Sequence, residues 1–208
     1  MKKFFYLFLI SGFMLSSCEL EDENNPNGGG NDGGGNNNQA EGTVQSFSVP
    51  LSYNSMSLSS KASFDMHNCV AVAPTDSDAD VTLCYQDKYK YAMVTPNSSW
   101  LKDLYRYNID GDGDGLTIIN SNSTTIGKVS GSLSNYDDID ELKALNVTSG
   151  SIEKLGQNQV QVSNGDIIAF QTGNVKGVGQ ITGLPVVSKV TATATFKGYV
   201  YYPSSSAK

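Results

Sequence analysis

Alternation of apolar and polar residues is clearest near the C-terminus, where it predicts one long β-strand. From residue 190 to residue 202 the even positions are mostly apolar, and the odd positions are Thr, Lys or Tyr. Successive side chains of a strand point to opposite faces, so one face should lie in the core and the other in water. The even positions are Val190, Ala192, Ala194, Phe196, Gly198, Val200 and Tyr202.

The same period of two predicts strands throughout the second half of the chain and in its middle. Residues 43–53 alternate, and Pro50 favours an edge strand there. Asn164-Gly165 is typical of a two-residue β-hairpin turn, and Thr172-Gly173-Asn174 predicts another turn. Further strand-like runs occupy residues 58–73, 81–86, 89–95, 116–119, 160–162, 167–170 and 175–181.

One short α-helix is predicted at about 135–145. Asn135 is placed to cap it, acidic residues fill its first turns, and Ile139, Leu142 and Leu145 recur at a helical spacing. Strands joined mainly by hairpin-type turns, with a single helix, predict a mainly β fold. We expect an antiparallel β-sandwich or a partly closed barrel.

The first 17 residues have the pattern of a signal peptide. Lys2 and Lys3 precede an apolar stretch over residues 4–15, which is too short for a membrane span of about 20 residues. Leu15-Ser16-Ser17-Cys18 resembles the lipobox of bacterial lipoproteins. This resemblance implies that Cys18 is diacylated, becomes the mature N-terminus and anchors the protein in the outer membrane.

The segment after Cys18 predicts a flexible tether over residues 18–42. It begins with an acidic run at 19–23, which resembles the signal that exports Bacteroidota lipoproteins to the cell surface; the periplasmic face is the alternative. Residues 24–42 are almost all Asn and Gly, so they cannot form a core and should hold residues 43–208, one β-rich domain, a few nanometres from the lipid.

Charge makes nucleic acid an improbable partner. Without residues 1–17 the chain loses two lysines, which leaves 12 basic and 21 acidic residues and a net charge of −9. The basic residues are scattered singly along the chain. Phosphate recognition requires a basic patch or stripe, so we exclude nucleic-acid binding as the function.

Several stretches of the domain together resemble small all-β surface lipoproteins of Bacteroidota. The resemblance implies a β-rich surface protein and no catalytic motif. Among proteins of that shape the HmuY lipoproteins bind haem through axial His or Met side chains, but His67, Met56, Met66 and Met93 lie in no stretch that matches their haem-binding motif. The stretches that carry the resemblance are residues 80–85, 94–96, 165–172 and 176–181 and the final Thr- and aromatic-rich strand.

The domain has two cysteines, Cys69 and Cys84, on predicted strands that flank a turn at 74–79. Strands that flank a turn can place two thiols face to face, and outside the cytoplasm such a pair is often bridged. A disulfide closing a loop of about 15 residues would contribute roughly 3 kcal/mol. The alternative is a pair of buried thiols. A zinc site built from them and His67 lacks the usual close ligand spacing.

An enzyme is not expected. His67 is the only histidine, and no Gly-x-Ser-x-Gly nucleophile motif accompanies it. His67 and Met66 would point to opposite faces of a strand, so they cannot jointly bind one haem iron. Trp100, the only tryptophan, follows a Pro-Asn-Ser-Ser loop, where it would either stack on a sugar ring or anchor the loop by packing.

A calcium loop is the remaining candidate site. Asp110, Asp112 and Asp114 alternate with Gly111, Gly113 and Gly115, which matches the opening of an EF-hand loop. Position twelve is Ser121 instead of the bidentate Glu, so any affinity should be low. The alternative is a polar turn rich in Asp and Gly.

These patterns predict a non-enzymatic, lipid-anchored surface protein that acts as a ligand-binding or interaction module. Haem capture, glycan binding through Trp100 and a structural or adhesive role are the alternatives. No cofactor is firmly predicted: calcium is a candidate and haem is not expected. The outer membrane is the one expected partner.

Overall fold

Two five-stranded antiparallel sheets form a sandwich-like domain that does not close into a barrel, which confirms the predicted mainly β fold. A computed structural model describes residues 42–55, 57, 59–98, 101, 122–152, 156–186 and 190–204. Two very short strands form a separate small sheet. The strands are β1 Thr43–Asn54, β2 Ser63–Asp65, β3 Val70–Val72, β4 Val81–Gln86, β5 Lys90–Val94, β6 Thr124–Val129, β7 Ser151–Ile152, β8 Gly156–Gln157, β9 Gln159–Gln161, β10 Ile167–Thr172, β11 Val175–Thr182 and β12 Thr191–Tyr202.

The first sheet is built on its two longest strands, in the order β1-β12-β11-β10-β6. β1 and β12 pair along their whole length, from Thr43 opposite Tyr202 to Asn54 opposite Thr191. β1 lies at the edge, as predicted, and its residues 47, 49, 51 and 53 are buried. The even positions of β12 are buried from 192 to 200, so the predicted core face is correct.

The second sheet has shorter strands, in the order β3-β2-β4-β5-β9. The single strand-like run predicted at 58–73 is instead two strands separated by a turn at 66–69. Asp65 explains the break, because its Oδ1 accepts hydrogen bonds from the backbone N–H groups of His67 and Asn68. Those N–H groups point at a side chain and do not extend the ladder of β2.

The hairpin predicted at Asn164-Gly165 is wrong, although a turn is present. β9, before it, belongs to the second sheet, and β10, after it, belongs to the first, so the turn carries the chain between sheets. The Asn164 side chain donates to the carbonyl of Leu184 and accepts from its N–H. The predicted turn at Gly173-Asn174 is a true hairpin, between β10 and β11.

Four phenylalanines pack at the centre of the sandwich, and we call them the four-phenylalanine centre: Phe47, Phe64, Phe170 and Phe196. Phe64 comes from the second sheet and the other three from the first. The Phe64 ring centroid lies 4.3 Å from that of Phe47, 5.8 Å from that of Phe170 and 5.5 Å from that of Phe196. Gly177 and Gly179 leave room for the rings, because a Cβ at either position would collide with Phe170 or Phe196.

A helical segment covers part of the outer face of the first sheet. A 3₁₀ turn at Leu133–Tyr136 is followed by α1, Ile139–Ala144, whose N-terminus is capped by Asp138 and not by Asn135. Leu142 and Leu145 pack there against Tyr201 of β12, so the predicted solvent face of that strand is covered at its end. No helix in the described part of the chain is long and apolar enough to cross a membrane.

Candidate metal centre

Three side chains that commonly bind metal ions meet at one end of the sandwich. β2 and β4 are antiparallel neighbours with Phe64 opposite Val81, which places Asp65, at the end of β2, beside Asp80, just before β4. The turn after β2 brings His67 to the same place. One possible ligand atom from each residue lies within 4.8 Å of the other two. We call these three residues the Asp80 cluster.

The Asp80 carboxylate is fully buried and is held by both sheets. Its Oδ2 accepts from the backbone N–H of Met66 at 2.9 Å, in the second sheet's turn. Its Oδ1 accepts from Thr172 Oγ1 at 2.8 Å and lies 3.3 Å from Thr124 Oγ1, both in the first sheet. Burial raises the pKa of Asp80 above its usual range, and these hydrogen bonds oppose the shift.

The Asp65 carboxylate is 2% exposed and is held by its own turn. Its Oδ1 accepts from the N–H groups of His67, at 2.8 Å, and Asn68, at 3.2 Å. Its Oδ2 accepts from Asn68 Nδ2 at 2.7 Å. A carboxylate offers about four acceptor positions, two on each oxygen. Counting donors from the described residues, Asp65 and Asp80 therefore each retain one acceptor position, on Oδ2.

His67 differs from the two carboxylates because its side chain is exposed. Within the described residues its imidazole nitrogens have no hydrogen-bond or ion-pair partner, whereas its backbone N–H is used by Asp65. Ion pairs in that part of the chain join Lys128 to Asp166 and Lys143 to Asp140, and neither includes Asp65 or Asp80. No described lysine or arginine therefore neutralises the two buried carboxylates.

Tyr202 joins the turn of the second sheet to the last strand of the first. Its hydroxyl donates to the carbonyl of Met66 and lies 3.3 Å from Cys69 Sγ. Burial, reinforced by Cys69, Asp65 and Asp80, raises the pKa of Tyr202 well above its usual range. The phenol therefore stays protonated and keeps its role as a donor that fixes the 66–69 turn.

The disulfide considered from the sequence is not formed: Cys69 and Cys84 are two buried thiols. The strands on either side of the 74–79 turn, β3 and β4, are not neighbours, because β2 lies between them in the sheet. Cys69 occupies the turn before β3, with a φ of 53°. Cys84 points into the core, where its Sγ donates to the carbonyl of Ala92.

The other predicted site residues do not join this cluster within the described structure. Met66 and Met93 are fully buried in the core. Met66 and His67 were expected to point to opposite faces of a strand, but both lie in a turn, so that expectation does not apply. The remaining candidates lie outside the described residues: Cys18, Met56, Trp100, Asp110, Asp112 and Asp114.

Two open grooves offer other concave surfaces. One, of about 370 Å³, lies between β1 and β3 and is lined by Val49, Pro50 and Val70 among others. The second, of about 250 Å³, lies where residues 184–186 pass Tyr91 and Gln161. Neither is lined by a residue of the Asp80 cluster.

Sequence reasoning missed Asp65 and Asp80 as site residues. They lie 15 positions apart and meet only because β2 pairs with β4. The one available signal was an acid at the end of one strand-like stretch, an acid just before the next one, and His67 two residues after the first acid. That signal is weak because acids are common where strands end in turns.

Comparisons with protein-family models, with curated proteins and with solved structures gave no match to this chain.

Proposed function

We propose that this protein is a lipid-anchored cell-surface protein whose β-sandwich acts as a non-enzymatic binding module. The observation that carries the proposal is the Asp80 cluster, in which two buried carboxylates are fixed by hydrogen bonds next to an accessible imidazole. Fixed acceptors with spare capacity suit capture of a ligand. The lipobox at Cys18 and the Asn- and Gly-rich tether support display of the domain at the outer membrane.

A binding function is favoured over hydrolysis because the carboxylates of Asp65 and Asp80 already accept several hydrogen bonds. A general base takes up a proton through an unoccupied acceptor position, and most acceptor positions of these two carboxylates are already occupied. Asp80 is held by Met66 and Thr172, and Asp65 by three donors of its own turn. These side chains are already positioned to hold a bound group in place.

Surface display is tested with the full-length chain expressed in a Bacteroidota host. We expect labelled palmitate to be incorporated into the wild type and not into Cys18→Ala, and we expect proteinase K to remove the wild-type domain from intact cells. A periplasmic protein would resist the protease until the cells are lysed. Equal labelling of Cys18→Ala would contradict lipid anchoring at this residue.

Haem capture is a second candidate, favoured by the exposed imidazole of His67. Met66 and Met93 are buried in the core, so among the described His and Met residues only His67 is exposed to serve as an axial ligand to the iron. Titrating the mature protein with hemin at micromolar concentration tests this. A Soret shift in the wild type that is lost in His67→Ala would support haem capture, and no shift would remove it.

A further inference from the structure

We propose that Asp65, His67 and Asp80 bind one divalent transition-metal ion of the Zn²⁺ class. This inference rests on the proposed function, because it names the class of ligand that the binding module would take. The donor set is one imidazole nitrogen and two carboxylate oxygens, drawn from the end of β2, the turn after it and the residue before β4. Three protein ligands with an open side are the pattern of an accessible zinc site.

The distances fit a site that closes on its ion. Two ligands bound to one Zn²⁺ at about 2.0–2.1 Å lie about 3–3.5 Å apart, and here the ligand atoms lie within 4.8 Å of one another. The two carboxylates are fixed by their hydrogen bonds, whereas the exposed His67 ring has no such restraint within the described structure. Rotation of the imidazole towards the two carboxylates would bring the ligand atoms closer to these separations.

Charge favours the same conclusion. Taking two carboxylates out of water side by side costs free energy, and a positive charge bound between them offsets that cost. Within the described residues no lysine or arginine supplies that charge. A divalent cation would neutralise both carboxylates at once and occupy the acceptor position left on each Oδ2.

The mixture of ligands selects the class of ion. Calcium and magnesium prefer shells made of oxygen atoms, whereas an imidazole nitrogen favours zinc and its neighbours in the transition series. The groups that hold the ligands are already in place: Met66 N–H and Thr172 on Asp80, and Asn68 on Asp65. Such outer contacts orient ligands and strengthen binding.

The chain's single histidine makes the test direct, because the only imidazole NMR signals belong to His67. The experiment titrates Zn²⁺ alone into the mature protein, residues 18–208, kept reduced in detergent. We expect stoichiometric Zn²⁺ to shift the His67 imidazole nitrogen signals, and Ca²⁺ at the same concentration to leave them in place. No Zn²⁺-dependent shift, or an equal response to Ca²⁺, would overturn the proposal.

Three variants separate the cluster from general attraction to an acidic protein. We expect His67→Ala and Asp80→Asn each to weaken Zn²⁺ binding at least about tenfold in a chelator competition. The matched control is Asp78→Asn, which removes one exposed negative charge two residues from Asp80 and should bind as the wild type does. Equal losses in Asp78→Asn and His67→Ala would show diffuse electrostatic binding and contradict the site.

Folding and surface display are controlled independently of metal binding. His67→Ala changes an exposed side chain, so it remains informative if Asp80→Asn fails to fold. Palmitate labelling and protease accessibility of the same samples report on the proposed surface display. If Zn²⁺ does not bind while palmitate labelling and protease accessibility are normal, the metal site is contradicted and surface display is not. If labelling fails while Zn²⁺ binds, lipid anchoring is contradicted and the metal site is not.

Discussion

The four-phenylalanine centre and the Asp80 cluster both join the two sheets, but by opposite means. In the centre, Phe64 meets three rings of the first sheet through apolar contact alone. At the cluster, Asp80 is held by Met66 N–H from one sheet and by Thr172 from the other. The first contact depends on shape and area, and the second depends on direction and charge.

That difference indicates which region can carry function. A dry aromatic contact contributes stability in proportion to the area it removes from water and offers nothing to a ligand. Buried carboxylates stabilise a fold only when all their partners are present, and otherwise they cost free energy. A protein that keeps two of them together beside an exposed imidazole has a site at which a cation would supply the missing partner.

The largest effect should follow truncation in the four-phenylalanine centre. Phe64→Ala removes a fully buried ring that touches Phe47, Phe170 and Phe196, and we expect the free energy of unfolding to fall by about 3–5 kcal/mol. Urea denaturation of the domain measures it. Phe64→Leu keeps most of the volume and should lose less; a loss below about 1 kcal/mol in Phe64→Ala would contradict the central role of this ring.

Truncation at the cluster should cost somewhat less and should depend on chemistry, not volume. Without metal, Asp80→Ala leaves the buried N–H of Met66 without its acceptor, at about 1–3 kcal/mol, while the Thr172 hydroxyl keeps its contact with Thr124 Oγ1 at 2.7 Å. Asp80→Asn retains an acceptor oxygen and should lose less. Urea denaturation in EDTA compares the two, and equal stability of both variants would show that the hydrogen bonds to Asp80 do not hold the sheets together.

A smaller effect is expected from Tyr53, a phenol buried in the apolar core whose hydroxyl donates to the carbonyl of Tyr85. Burial raises its pKa from about 10 to about 12, reinforced by Cys84 and opposed by a hydrogen bond with Ser55. The neutral phenol is favoured in the folded state, so its contribution is complete below pH 10 and is lost as pH rises towards 12. Between pH 9 and pH 11 this loss amounts to about 1.4 kcal/mol.

The matched variant for this pH effect is Tyr53→Phe, which cannot ionise. Urea denaturation at pH 9 and pH 11 should show a smaller drop in unfolding free energy for the variant than for the wild type. The remaining drop belongs to the other buried groups with raised pKa values, which include the Cys84 thiol. An identical drop in both proteins would show that the Tyr53 hydroxyl is not buried as described.

The strands with a regular period of two could be predicted because each carries its own signal. β12 and β1 show buried and exposed residues in alternation; β12 was expected with the correct inward face, and β1 was expected at the edge of a sheet. Pairing partners could not be predicted in the same way. Asn164-Gly165 specifies a turn locally, but whether the next strand joins the same sheet depends on contacts distant in sequence.

The candidate site could not be predicted for the same reason. Asp65 and Asp80 become neighbours only through the pairing of β2 with β4, and Asp80 is held by Thr172, 92 residues further along the chain. The N-terminal cap of α1 is a second feature that the local sequence could not decide. Asn135 and Asp138 are both good cap residues, and the 3₁₀ turn before the helix decides for Asp138.

The most direct test of the account is the melting temperature of three proteins with and without Zn²⁺. A ligand that binds the folded state raises the melting temperature by mass action. We expect Zn²⁺ to raise it in the wild type and in Phe64→Leu, which alters only the apolar centre, and to leave it unchanged in His67→Ala. An equal rise in His67→Ala, or no rise in the wild type, would contradict the claim that the Asp80 cluster is a ligand site.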